Sequence, residues 1–135
     1  MDQIKWTEDL SVGVSEIDDQ HRRLIGIIDD LIDAQNQNKD AEVLSELISK
    51  MADYIDYHFG TEEKYMSRFQ YAGLEHHRNE HRTFIRKVFE FRKLFTQDHQ
   101  SLSDDILSFL TEWLRHHIRE TDQGYSQCFR ENGLK

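Results

Sequence analysis

Apolar residues recur three and four positions apart in four separate segments of the chain, and no proline interrupts any of them. That spacing marks one face of an α-helix, because 3.6 residues complete a turn. The first segment, from about Asp19 to Gln37, carries Leu24, Ile25, Ile28, Leu31 and Ile32. The second, from about Ala41 to Phe69, carries Leu44, Ile48, Met51 and Ile55. Gly60 lies inside it, at a cost of about 1 kcal/mol relative to alanine. The third, from about Leu74 to Gln97, carries Leu74, Phe84, Val88, Phe91 and Phe95. The fourth starts at Ser103, whose hydroxyl can cap free N–H groups ahead of Asp104 and Asp105. It carries Ile106, Leu110 and Trp113 and ends before Gly133. Polar breaks at 36–40, 70–73 and 98–101 separate the segments.

Four amphipathic helices on short connections, with no strand-like alternation, predict an all-α fold. The arrangement expected is an antiparallel up-down-up-down four-helix bundle. Residues 1–18 read as an irregular N-terminal arm that packs Trp6, Val12, Val14 and Ile17 over one end. Residues 19–132 read as the bundle, and the 135 residues as one domain. With 26 acidic and 17 basic residues the net charge is −9, which argues against nucleic acid or an anionic membrane as partner. No apolar run approaches the roughly 20 residues that span a bilayer. Met1 to Leu10 lacks the basic start and apolar core of a secretory leader. The only cysteine, Cys128, cannot form an internal disulfide. A cytoplasmic protein is expected.

Each apolar stripe, continued at helical spacing, arrives at a histidine. His21 precedes Leu24 and Ile25 by three and four residues. The second stripe runs on from Ile55 to His58 and Glu62, the third passes through His77 and His81, and the fourth reaches His117. One inward histidine is ordinarily satisfied by a backbone carbonyl. Five histidines and a glutamate facing one core are not, since a buried polar group without a partner costs about 1–3 kcal/mol. A metal centre is the economical account. Five imidazoles exceed what one tetrahedral zinc uses, and calcium and magnesium prefer oxygen. Two iron ions fit best, and a copper or manganese pair would also meet the spacing.

Four motifs in order then resemble the hemerythrin family, above all its single-domain bacterial members. They are Ile17-Asp18-Asp19-Gln20-His21, His58-Phe59-Gly60-Thr61-Glu62-Glu63, His77-Arg78-Asn79-Glu80-His81 and His117-Ile118-Arg119-Glu120-Thr121-Asp122. Trp6 and Ser11-Val12-Gly13-Val14 also look like that family's N-terminal arm. The resemblance implies an oxo- or hydroxo-bridged non-haem pair of iron ions. His77, His81 and His117 would hold one ion, His21 and His58 the other, and Glu62 and Asp122 would bridge them. Reversible dioxygen binding at the ion with fewer histidines follows, for storage, transport or delivery to an oxygen-consuming acceptor protein. Leu24, Phe59, Trp113, Leu114 and Ile118 would line the oxygen pocket.

Asp122 alone sits awkwardly. Five residues beyond His117 is about 140° round an ideal helix, whereas Glu120 at i+3 would face the site. A local distortion is needed to aim Asp122 inward. His76 and His116 each precede a candidate ligand by one residue and point about 100° away. His99 falls in a polar break, and Cys128 has no histidine at a spacing that suggests a nucleophile. Glu63, Arg119 and Glu120 read as a solvated face from which one residue could orient a ligand histidine. Oxygen-activating di-iron bundles use four carboxylates and two Glu-x-x-His motifs. This chain offers five histidines and two carboxylates, so a carrier is expected over an oxidase, peroxidase or nitric oxide reductase, with an oxygen or iron sensor as the other alternative.

Overall fold

The computed structural model describes residues 4–38, 41–95 and 99–135. Its helices are α1 (Ser15–Asn36), α2 (Ala41–Arg68), α3 (Leu74–Phe95), α4 (His99–His116) and α5 (Gln123–Glu131). A one-turn 3₁₀ helix, Glu8–Leu10, precedes α1, and a π-helical turn, His117–Thr121, joins α4 to α5. Among the described residues there is no strand. Helices α1 and α2, α2 and α3, and α3 and α4 pack in sequence, and α1 meets α4, which closes the four-helix bundle.

The apolar stripes are where the spacing puts them. Leu24, Ile28, Ile32, Ile48, Met51, Ile55, Phe84, Val88 and Leu110 are buried in one core cluster, against which Phe91 and Trp113 pack. A second cluster gathers Val12, Val14, Ile17, Tyr65, Met66, Tyr125 and Phe129 at the other end of the bundle. Helices α1, α2 and α3 each pass from one cluster to the other, α4 and α5 do so together through the π turn, and the polar inward residues fall between the clusters. In α2, for example, Ile55 lies in the first cluster and Tyr65 and Met66 in the second, with His58 and Glu62 between.

Three boundaries differ from expectation. Helix α1 starts at Ser15 instead of Asp19, so the arm is shorter than 1–18. Asp18 explains the extra turn. Its N–H bonds the Val14 carbonyl at 2.9 Å, while its carboxylate accepts the Val12 N–H at 2.9 Å and the Ser11 hydroxyl at 2.5 Å. Helix α4 runs from His99, so neither Ser103 as a cap nor a loop at His99 holds; no glycine or proline stops the helix there. The expected single fourth helix is three pieces, α4, the π turn and α5. The expected ends at 39–40 and 97 lie outside the described residues, as do the side chains of Phe95 and Ile106.

The arm is tied down at several points. The Ser126 hydroxyl donates to the Val12 carbonyl at 2.5 Å, and Gln123 donates to that of Ser11 at 3.1 Å. Gly13 takes φ +75, and a Cβ there would lie 3.1 Å from Arg130 Cδ, so the chain needs glycine at this crossing. Asp18→Ala would orphan the buried Val12 N–H. A loss of about 1–3 kcal/mol in urea unfolding is expected, and a change below about 0.5 kcal/mol would refute the role given to Asp18.

Candidate metal centre

His21, His58, Glu62, His77, His81, His117 and Asp122 are all buried, none more than 1% exposed, in the layer between the two apolar clusters. Their ligand atoms form two groups. Glu62, His77, His81, His117 and Asp122 make one, His21, His58, Glu62 and Asp122 the other, with the atoms of each group within 4.8 Å of one another. The two carboxylates are common to both. His77 Nε2 and His117 Nε2 lie 2.8 and 2.9 Å from Asp122 Oδ1, and His21 Nε2 lies 3.0 Å from Oδ2. His58 Nε2 and His81 Nε2 lie 3.2 and 3.3 Å from Glu62 Oε1.

The π turn supplies the distortion that Asp122 requires. The Asp122 N–H bonds the His117 carbonyl at 2.8 Å, an i→i+5 bond that widens the turn by one residue. Five residues then bring the chain back to the same face, and Asp122 joins His117 in the core. Glu120 points outward, 66% exposed, and pairs with His116 Nδ1 at 3.1 Å. His76, 77% exposed, reaches Glu80 at 2.9 Å.

Hydrogen bonds fix which nitrogen of each ring faces the centre. His81 Nδ1 lies 2.9 Å from Glu63, His117 Nδ1 3.2 Å from Glu80, and His58 Nδ1 2.7 Å from the Gln20 amide oxygen. All three partners are acceptors, so each Nδ1 carries a proton and donates it. The Nε2 lone pairs are thereby left facing inward. The acceptors also follow a rule. Each flanks an inward residue of its own helix and serves a histidine on the next one: Gln20 beside His21, Glu63 beside Glu62, Glu80 beside His81. Sequence reasoning anticipated such a role only in general for Glu63 and missed Gln20 and Glu80. The signal was the amide or carboxylate adjacent to an inward residue. It also missed Tyr125, buried on α5, whose hydroxyl donates to Glu62 Oε2 at 2.5 Å. No sequence signal distinguishes that tyrosine from an ordinary core residue.

The donor set fits a cation. His21 Nε2, His77 Nε2, Glu62 Oε1 and both Asp122 oxygens are buried with no partner in hydrogen-bonding geometry, although they crowd together. His81 Nε2 and His117 Nε2 stand 3.1 Å apart. Two lone pairs at that distance repel unless a positive charge sits between them. Without metal, a proton takes that part. Burial pulls the His117 pKa down, but Asp122, then Glu80 and Glu62, raise it to about 10. His58 goes the other way: burial takes it down to about 4 against the pull of Glu62. Burial also works to raise Asp122, but His117, His21 and His77 hold it well below the usual carboxylate range. Glu80 is lowered to about 2, chiefly by its hydrogen bond to His117. Cys128 stands apart on α5 against the Phe69 carbonyl.

Aromatic rings pack directly on two of the buried histidines. Phe59 stacks on His81 with centroids 3.7 Å apart, and Trp113 on His117 at 4.3 Å. Leu24, Leu114 and Ile118 are buried in the same core cluster.

Two predictions follow from this geometry. Asp122→Ala removes a carboxylate common to both groups, so metal content measured by plasma emission should fall to less than half. Glu120→Ala should leave it unchanged, as for a surface position; the reverse result would mean that Glu120 is the ligand. Metal uptake at pH 7 should release protons, because His117 with a pKa of about 10 is protonated there and must lose that proton to ligate. Calorimetry in buffers of different ionisation enthalpy reads the release. The same heat in every buffer would contradict it.

Known proteins place the chain. The family described as hemerythrin HHE cation binding domain matches residues 12–128. A bacteriohemerythrin of Pseudomonas aeruginosa (strain LESB58) is 36% identical over 132 residues, covering 98% of this chain and 85% of its own. One of Stenotrophomonas maltophilia is 38% identical over 121 residues, covering 90% of this chain and 78% of its own. A crystal structure of a wild-type hemerythrin superposes with a TM-score of 0.83 at 24% identity, covering 94% of this chain and 98% of that one, which shows the shared fold.

Proposed function

The chain belongs to the hemerythrin family, and from that premise we propose that it binds dioxygen reversibly at a pair of iron ions. One observation carries this reading: five buried imidazoles divide three and two between two groups that share Glu62 and Asp122. His77, His81 and His117 would hold one ion and His21 and His58 the other, with Glu62 and Asp122 common to both groups. An iron pair bound there would supply the electrons that reversible dioxygen binding needs.

The chain's own residues do the rest. Glu63, Glu80 and Gln20 hold the Nδ1 protons of His81, His117 and His58, which keeps each Nε2 directed inward. Tyr125 donates its hydroxyl proton to Glu62 Oε2 and leaves Oε1 on the side of the histidines. Phe59, Trp113, Leu24, Leu114 and Ile118 line the oxygen pocket and exclude water and stray protons. The role is that of a cytoplasmic carrier or store, not an enzyme, working as a single hemerythrin-like domain that passes dioxygen to an oxygen-consuming acceptor protein. Among the described residues no helix is long and apolar enough to cross a membrane.

Anaerobic reconstitution with Fe(II), followed by air and then argon, tests the proposal. About two irons per chain are expected, with a visible absorption band that rises in air and falls under argon. One metal per chain, or retention of zinc alone, would overturn the iron pair. Irreversible bleaching accompanied by substrate turnover would identify an enzyme instead.

A further inference from the structure

A second feature lies outside the metal centre, between the N-terminal arm and the faces of α1 and α4. A cavity of about 250 Å³ opens there. Its floor is apolar: Ile25, Leu114 and Ile118 are each no more than 3% exposed. Its rim is cationic: Lys5, Arg115 and Arg119 are exposed, and no acidic residue lines it. Such a lining is unexpected in a chain of net charge −9. Arg119 is already paired, its Nη2 3.0 Å from Asp9 Oδ2. Lys5 and Arg115 have no hydrogen bond or ion pair among the described residues.

The backbone adds a separate observation. Lys5 takes φ +57, a left-handed conformation that costs a non-glycine residue energy and tends to persist where a site requires it. The neighbouring bonds hold it there. The Ile4 N–H donates to Asp29 at 2.7 Å on one side, and Trp6 receives the Arg22 guanidinium 4.1 Å over its ring on the other. The arm is thus fastened on both sides of Lys5 while the ammonium stays free.

We propose that this cavity binds a small amphipathic carboxylate, its anionic head between Lys5 and Arg115 and its short apolar body on Ile25, Leu114 and Ile118. Charge and volume together select that class. An inorganic anion would leave the floor uncovered, and an uncharged apolar molecule would leave the two cations unanswered. The volume is below the roughly 300–1,000 Å³ of pockets for drug-sized ligands, so the body is a few carbons long. Arg115 can meet both carboxylate oxygens at once, which favours a carboxylate over a point anion such as chloride. The site is distinct from the metal ligands, though Ile118 directly follows His117.

Hexanoate is the probe, titrated by calorimetry into the metal-loaded protein, with acetate and 1-hexanol as partners that lack the body and the head. Hexanoate should bind at one site per chain, and acetate and hexanol at least about tenfold more weakly. Arg115→Glu and Lys5→Glu should each weaken hexanoate at least about tenfold, with circular dichroism reporting that both variants are folded. Hexanol binding as tightly as hexanoate, or no saturable binding of hexanoate, would overturn the proposal. So would hexanoate binding that both charge reversals leave intact and His21→Ala abolishes, because the anion would then be on the metals. That last outcome leaves the iron reading standing, and the iron assay above can fail without touching this one.

Discussion

A layer of seven ionisable side chains crosses the interior of this bundle, and the rest of the structure depends on how their charge is compensated. Two carboxylates and five imidazoles lie there with essentially no contact with water. Burying an uncompensated charge costs several kcal/mol even after relaxation, comparable with a large part of a domain's whole stability. The groups cannot all satisfy one another by hydrogen bonds, because most of their inward atoms are acceptors and several are left without a partner. Only a cation at the points where those lone pairs converge removes the conflict. The apolar clusters above and below are therefore two cores separated by a polar layer, and metal binding and cohesion of the bundle become one equilibrium.

The same constraint explains why acceptors pass from each helix to the next. An imidazole that ligates through Nε2 must give its Nδ1 proton to something, and in a bundle core that partner must come from another helix. Gln20 of α1 meets His58 of α2, Glu63 of α2 meets His81 of α3, and Glu80 of α3 meets His117. Each bond aims an imidazole inward and ties one helix to its neighbour. Gln20 is itself held, since its amide nitrogen donates to Thr61, whose hydroxyl donates to the Tyr57 carbonyl. Thr121 likewise donates to Glu80 and fixes it from the π turn. The series stops at α4, and His21 Nδ1 is buried without a partner.

What was legible in the sequence follows the range of the interactions involved. Periodicity is a property of one helix, so the four stripes and their histidines could be read directly. Asp122 shows the limit of that reading. Regular geometry pointed to Glu120 and family resemblance to Asp122; the structure inserts one residue into the turn, which brings Asp122 among the buried histidines and leaves Glu120 outside. Nothing in His117-Ile118-Arg119-Glu120-Thr121 announces a π turn by composition. Its consequence, a carboxylate among the buried histidines, shows only once the helices are packed together. The acceptors were hidden for the same reason: Glu80 looks like a surface residue on α3 until α4 is packed beside it. Helix boundaries failed where a side chain from outside the periodic segment decided them, as Asp18 did by binding the arm.

The placement of negative charge bears on why such a centre would bind dioxygen and release it. On the reading of two divalent ions, four positive charges enter the layer. Glu62 and Asp122 can touch the metals, whereas Glu63 and Glu80 stand one imidazole further out, on Nδ1 of His81 and His117. Four carboxylates balance the pair, but half of them act through a ring. An oxygen-activating bundle puts all four on the metals, where they stabilise high oxidation states most strongly. On that reading the outer two would raise the basicity of the histidines and neutralise the site at a distance, and the ions would meet mostly neutral nitrogen. The gain on going beyond the first oxidised state would be correspondingly smaller. Phe59 and Trp113, stacked on the same two histidines that carry the outer carboxylates, cover that side of the layer with apolar rings. On that reading, charge held back from the ions and an apolar surround would act in the same direction, towards release of an unchanged molecule.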